Sequence, residues 1–135
     1  MVYAPEIVEL YPWFADLSGS GSFSISSSQP HYGTFGTSSQ NNSFTWGTTL
    51  RPGSYTVSDL CTNGSDHGIS SISNGGSTLG TLDKYAGSTS YGQTETATSL
   101  SLASGNIVAT ASTKNASSSG YVNPSTYTRL VRTGD

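Results

Sequence analysis

The sequence predicts an all-β fold, an antiparallel β-sandwich of jelly-roll type with an extended N-terminal arm. Two observations lead there. Phe44, Trp46, Thr48 and Leu50 alternate with Ser43, Thr45, Gly47 and Thr49, the period of a half-buried strand. Runs of this kind recur at spacings of about 8–12 residues, separated by Gly, Asn, Pro and Ser turns, as in sandwich proteins. No stretch shows helical periodicity capped at both ends. The chain of 135 residues fits one domain. Ser and Thr total 45 against 24 for Leu, Ile, Val and Phe, so its core is thin. A net charge of only −3 argues that this composition is a Ser/Thr-rich β protein rather than a disordered chain.

Taken in order, residues 1–22 read as an arm and a Ser/Gly connector, and residues 23–135 as the sandwich. The arm is the densest apolar segment, with Ile7, Val8, Leu10, Tyr11, Trp13 and Phe14 broken by Pro5 and Pro12. Pro12 forbids a regular helix there. Two readings stand: a first strand packed on the sandwich, or an extended arm that docks on a neighbouring chain through those six residues, anchored by Trp13 and Phe14. Ser18-Gly19-Ser20-Gly21-Ser22 then reads as a flexible connector.

Arg51-Pro52-Gly53 marks a turn after the Phe44–Leu50 strand, and Tyr55 to Cys61 forms the next. Asn63-Gly64 and Asn74-Gly75-Gly76 are tight-turn signals on either side of Ile69 and Ile72, whose spacing of three demands a bulge or a change of face. Thr78–Leu82, Thr96–Leu102, Asn106–Thr113 and Thr126–Thr133 complete the set, with Ser104-Gly105-Asn106 expected as a hairpin turn. Phe44, Trp46 and Tyr55 are the expected aromatic core.

Several functions are argued against. No window of about 18 apolar residues exists to span a membrane, and no basic stretch exists to neutralise phosphates of a nucleic acid. The start carries two acids and no cation before its apolar residues, so no secretory leader is expected. The single Cys61 cannot form an intrachain disulfide, and no Cys/His spacing suggests zinc. For catalysis, His31 and His67 lack a Gly-x-Ser-x-Gly elbow, and the eight acids are scattered. A non-enzymatic chain with neither metal nor cofactor is expected. The oxygen-rich loop Asn63-Gly64-Ser65-Asp66-His67-Gly68 lacks the acid pattern of an EF-hand and reads as a capped turn in preference to a calcium site.

Aromatic residues carry more of the signal. Tyr32, Tyr85, Tyr91 and Tyr121 sit among Ser, Asn and Gly, where rings serve sugar stacking or a protein interface. Of these, Tyr85, Tyr91 and Tyr121 are the candidate glycan or interface contacts.

The runs Asp66-His67-Gly68-Ile69, Gly80-Thr81-Leu82-Asp83-Lys84-Tyr85, Lys114-Asn115-Ala116-Ser117-Ser118-Ser119-Gly120-Tyr121 and Arg129-Leu130-Val131-Arg132-Thr133 form a pattern over roughly residues 54–133. It resembles the small galactose-binding-like or jelly-roll modules of structural proteins in tailed bacteriophages. Asn74-Gly75-Gly76 stands where such modules carry an Asp-Gly hairpin, so no binding residue carries over there. The resemblance implies this fold and association with a virion. Together with the apolar arm, the weakly charged surface and the thin core, the expected role is a decoration (cement) protein on the capsid exterior, binding the major capsid protein and itself as a homotrimer. Its alternative is a carbohydrate- or receptor-binding module of a tail fibre or spike. Lys114 is expected to tie its loop to Asp83 or Asp66, an exposed pair contributing at most about 1 kcal/mol.

Overall fold

A computed structural model describes residues 7–10, 16–19, 22–25 and 33–135, with side chains described for 7–10 and 36–135. Among the described residues there are strands and no helix. In chain order they are β1 (Ile7–Leu10), β2 (Asp16–Gly19), β3 (Ser22–Ile25), β4 (Gly33–Thr37), β5 (Ser43–Thr48) and β6 (Gly53–Asn63). They continue with β7 (Ile69–Asn74), β8 (Thr78–Asp83), β9 (Ser90–Leu102), β10 (Gly105–Thr113), β11 (Asn123–Ser125) and β12 (Tyr127–Gly134). A four-stranded sheet runs β1-β12-β6-β9, a five-stranded sheet runs β2-β5-β10-β7-β8, and a small third sheet runs β11-β4-β3. Strands within each sheet pair antiparallel.

Alternation dictates the core. On β5, Phe44 and Trp46 point inward, and on β6 Tyr55 and Val57 do the same, while their chain neighbours face outward. Ile72, Leu82, Leu100, Leu102, Ile107 and Leu130 join them in one cluster between the two large sheets. Phe44 and Trp46 meet edge to face, their ring centroids 6.0 Å apart. The Tyr55 hydroxyl donates to the Arg51 carbonyl at 2.6 Å, so the buried ring leaves no unpaired oxygen. Ile72 faces the core together with Ser70, whereas Ile69 faces the other side of β7. The three-residue spacing is therefore a change of face.

The edge strands β8 and β9 meet along one side of the sandwich. A Cβ at Gly80 would lie 2.7 Å from a Leu100 methyl, so glycine lets β8 settle on that side chain. Strand β9 is blunted as an edge by a bulge, because the pairing with β6 jumps from Tyr55↔Leu100 to Val57↔Ala97. Ser99 absorbs the extra residue with φ at +61°, and the break interrupts the flat template that an added strand would need.

Three expectations need correction. Val8 and Leu10 are not free to hold a partner chain: β1 pairs with β12, Leu10 is buried in the core and Val8 packs against it. Of the apolar residues on that strand only Ile7 is left exposed, and Tyr11, Trp13 and Phe14 lie outside the described residues. Ser18, Gly19 and Ser22 belong to β2 and β3, which pair with β5 and β4, so neighbouring backbones hold what small polar residues alone would leave loose. Finally, Ser104-Gly105-Asn106 joins no hairpin. Strand β9 pairs with β6 in one sheet and β10 with β5 and β7 in the other, so this turn crosses between layers. The β7–β8 hairpin is as expected, with Gly75 and Gly76 at φ +80° and +98° in the conformation that tight turns demand.

The sandwich also holds a fully buried charge. Lys84, directly after β8, donates from Nζ to Asp59 Oδ2 at 2.5 Å, Asn123 Oδ1 at 2.8 Å and the Pro124 carbonyl at 2.7 Å. Ser125 Oγ donates to the other Asp59 oxygen at 2.6 Å, and Asn123 Nδ2 donates to Ser70 Oγ at 3.2 Å. All three protons of the ammonium are thus placed. Nearby Cys61 is buried as well, and burial pushes its thiol up to about 12, which keeps it protonated and unreactive. Removing one member of a buried pair strands the other charge. Lys84→Ala is expected to cost about 3–5 kcal/mol, read as a lower urea midpoint, and an unchanged midpoint would show that the pair does not hold the fold.

Candidate functional site

One end of the sandwich gathers the segments that the sequence singled out. Strand β6 ends at Asn63, which pairs with Ser90 at the start of β9. The loop that follows bridges to the other strand exits, Gly64 to Tyr85 and His67 to Val122. Tyr85, Tyr91 and Tyr121 therefore belong to one end of the molecule, although they lie on three separate segments. Tyr91 is 43% exposed, one of two exposed large apolar side chains among the described residues with Ile7, and Tyr85 and Tyr121 are half-buried.

The three loops are clamped to one another by backbone. Gly64 N donates to the Lys84 carbonyl at 3.2 Å, and Ala86 N donates to the Gly64 carbonyl at 3.1 Å. Gly68 N donates to the Val122 carbonyl at 2.8 Å, and Val122 N returns a bond to the Asp66 carbonyl at 3.0 Å. Ser119 N donates to the Ser65 carbonyl at 2.9 Å, and Ser118 Oγ donates to the His67 carbonyl at 2.7 Å. A Cβ at Gly120 would lie 2.9 Å from the Asp66 carbonyl oxygen, which explains glycine at that point. Small residues at 117–120 thus allow two loop backbones to touch, as their composition suggests. Rigid loops of this kind lower the ordering cost of binding.

Polar groups surround the rings. Asp83 accepts from Tyr85 N at 3.0 Å through one oxygen and from Asn115 Nδ2 at 3.1 Å through the other. Asn115, rather than Lys114, ties this loop to Asp83. Lys114 instead folds back: its Nζ donates to the Ser118 carbonyl at 2.9 Å and lies 5.4 Å from the centroid of the Tyr121 ring. That position satisfies the ammonium locally and steadies the ring by a cation–π contact. Asp66 Oδ1 lies 2.8 Å from His67 Nδ1 and is exposed to solvent. Asn63 does not cap its own turn; it is buried and its Nδ2 donates to Glu95 at 2.8 Å, with its Oδ1 accepting from Cys61. Among the described residues, no three His, Cys, Asp or Glu side chains converge as metal ligands would.

At the other end of the sandwich a hollow is lined by residues of 74–76, 103–106 and Val108. It contains no aromatic side chain and no charge, so it offers neither a stacking platform nor a strong polar anchor. The tyrosine-bearing end is the better candidate. Local alternation supplied the strands that carry it, but its assembly depends on pairings between segments far apart in sequence.

No family model matches the chain, and no curated protein matches it. Solved structures do, and what they show is the fold: a β-sandwich shared with carbohydrate-binding modules. The CBM36-1 domain of a multidomain xylanase from the hindgut metagenome of Trinervitermes trinervoides superposes with a TM-score of 0.65 at 16% identity. The match covers 96% of this chain and 99% of that domain. The C-terminal CBM6 of a laminarinase from Zobellia galactanivorans gives 0.55 at 12% identity, over 93% of this chain and 99% of that one. A xanthan lyase from Paenibacillus gives 0.69 at 18% identity over 93% of this chain, which spans 13% of the lyase. The galactose-binding-like, jelly-roll part of the sequence resemblance agrees with these folds, and none of the three is a virion protein.

Burial lowers the pKa of His67 below its ordinary 6.5, and the neighbouring Asp66 carboxylate opposes that shift without cancelling it. The unfolded chain therefore takes up the proton first as pH falls. Stability supplied by the neutral ring is full above 6.5 and is lost as pH drops from there through the lower folded value. NMR titration of the imidazole is expected to give a midpoint below 6.5, and Asp66→Asn is expected to move it lower still. A midpoint above 6.5 would contradict the burial argument.

Proposed function

We propose that the chain is a non-catalytic carbohydrate-binding module whose ligand rests on the loop end bearing Tyr85, Tyr91 and Tyr121. The observation that carries this reading is the convergence of three tyrosines from separate segments on one clamped end of a sandwich shared with carbohydrate-binding modules. Aromatic faces suit the C–H faces of pyranose rings, and Asp66, Asp83 and Asn115 beside them offer acceptors and donors to sugar hydroxyls. The structural neighbours belong to enzymes that act on polysaccharides, which supports a polysaccharide as the ligand class.

The capsid-decoration reading, with a trimer, a capsid partner and a virion location, relied on a free apolar arm. Val8 and Leu10 are committed to the sandwich, which weakens that basis and favours the alternative.

Affinity electrophoresis or calorimetry against soluble xylan, laminarin and xanthan tests the proposal. Saturable binding to at least one is expected, weakened about tenfold, or about 1.4 kcal/mol, by Tyr91→Ala and by Tyr121→Ala. Absence of binding to all three, or binding unaffected by both substitutions, would sink it.

A further inference from the structure

The buried group around Lys84 takes no part in the loop surface, and its chemistry goes beyond holding an ion pair. Three functional groups meet there away from water: an amine, a carboxyl and a primary amide. Lys84 and Asn123 are 0% exposed and Asp59 is 3% exposed. The amine nitrogen stands 2.8 Å from Asn123 Oδ1 and 2.5 Å from Asp59 Oδ2. The hydrogen bond to Oδ1 holds the amine next to the amide whose Cγ lies one bond further on, and groups kept adjacent by a rigid frame react as though present at very high concentration. The two residues are 39 positions apart in the chain, and no disulfide is available to a protein with one cysteine.

We propose that the folded chain joins Lys84 Nζ to Asn123 Cγ in an intramolecular isopeptide bond, with Asp59 carrying the protons. The step balances without any outside reactant. Asp59 takes one proton from the ammonium across the short contact, leaving an amine and a carboxylic acid. Rotation about the Cε–Nζ bond turns the amine lone pair toward Cγ of Asn123, and the new C–N bond forms. Asp59 passes its proton to Asn123 Nδ2 and receives another from Nζ. The old C–N bond breaks, ammonia leaves, and an amide remains beside a neutral Asp59. Two buried charges have been removed.

Three features favour this outcome. Burial pushes the Asp59 carboxyl above its ordinary value, against the opposing pull of Lys84, which favours its taking the proton from the ammonium in the first step. Exclusion of water keeps a competing nucleophile from the amide. Asn123 is the better acceptor of the two side chains, because a carboxylate is a poor electrophile and Asp59 Oδ1 is already engaged by Ser125. The bond would tie the exit of β8, in the five-stranded sheet, to β11 in the third sheet.

Intact-mass spectrometry of the folded, full-length protein after acid denaturation is the test. The expected mass is about 17 Da below that of the sequence, the loss of one ammonia. Because Asn63-Gly64 and Asn74-Gly75 lose the same ammonia on succinimide formation, protease mapping decides: peptides containing Lys84 and Asn123 are expected as one linked species, with no tryptic cut after Lys84. A full-mass protein overturns the proposal. So does a 17 Da loss mapped elsewhere, or a loss of about 18 Da linking Lys84 to Asp59. Asp59→Asn is expected to restore full mass; a linked product from that variant would overturn the role given to Asp59. Should the variant fail to fold, the wild-type map still decides the bond.

Discussion

The contact between Lys84 and Asp59 is the constraint around which the remainder of the molecule is arranged. An ammonium in an apolar interior is costly unless each proton finds an acceptor, and here the acceptors come from β6 and β11. Those elements must therefore arrive together at the point where β8 ends. The same convergence sets the start of the loop end, because Lys84 is followed at once by Tyr85 and its own backbone bonds to Gly64 and Gly68. The buried charge and the candidate binding surface are two sides of one junction.

That arrangement answers the problem posed by the composition. A chain this poor in aliphatic side chains buries a compact apolar cluster, centred on Trp46, Phe44, Tyr55 and Leu130, and supplements it with serine and asparagine side chains satisfied by hydrogen bonds. Buried polar networks rigidify a fold when every member is paired, and Ser70, Asn123, Ser125 and Asp59 all have partners here. Rigidity at the junction is what a loop-borne recognition surface needs, since side chains on clamped loops lose little freedom when a ligand binds. Stability and recognition thus draw on the same hydrogen bonds.

Much of the fold was legible in residue order because strand periodicity is a local property. Phe44, Trp46 and Tyr55 were readable as core from alternation alone, and all three are buried. The Gly75-Gly76 turn was readable because few residues tolerate positive φ. The N-terminal segment was harder. An apolar stretch with prolines suits a first strand and a docking arm equally, and the pairing of Ile7–Leu10 with β12 rests on residues more than a hundred positions away. The β9–β10 turn misled for a related reason: a Gly-Asn turn has the same chemistry whether the chain returns within a sheet or crosses to the other one.

The candidate site divides in the same way. Residue order by itself determined the alternation that yields an all-β chain, the aromatic core, and the three tyrosines in polar surroundings, since each depends only on near neighbours. Tertiary structure alone decided that those tyrosines share one end, that Asn115 rather than Lys114 secures Asp83, and that Lys84 sits fully buried against Asp59 and Asn123. A lysine in a turn-like context reads as solvated, and only the convergence of distant strands can supply the acceptors that let it leave water.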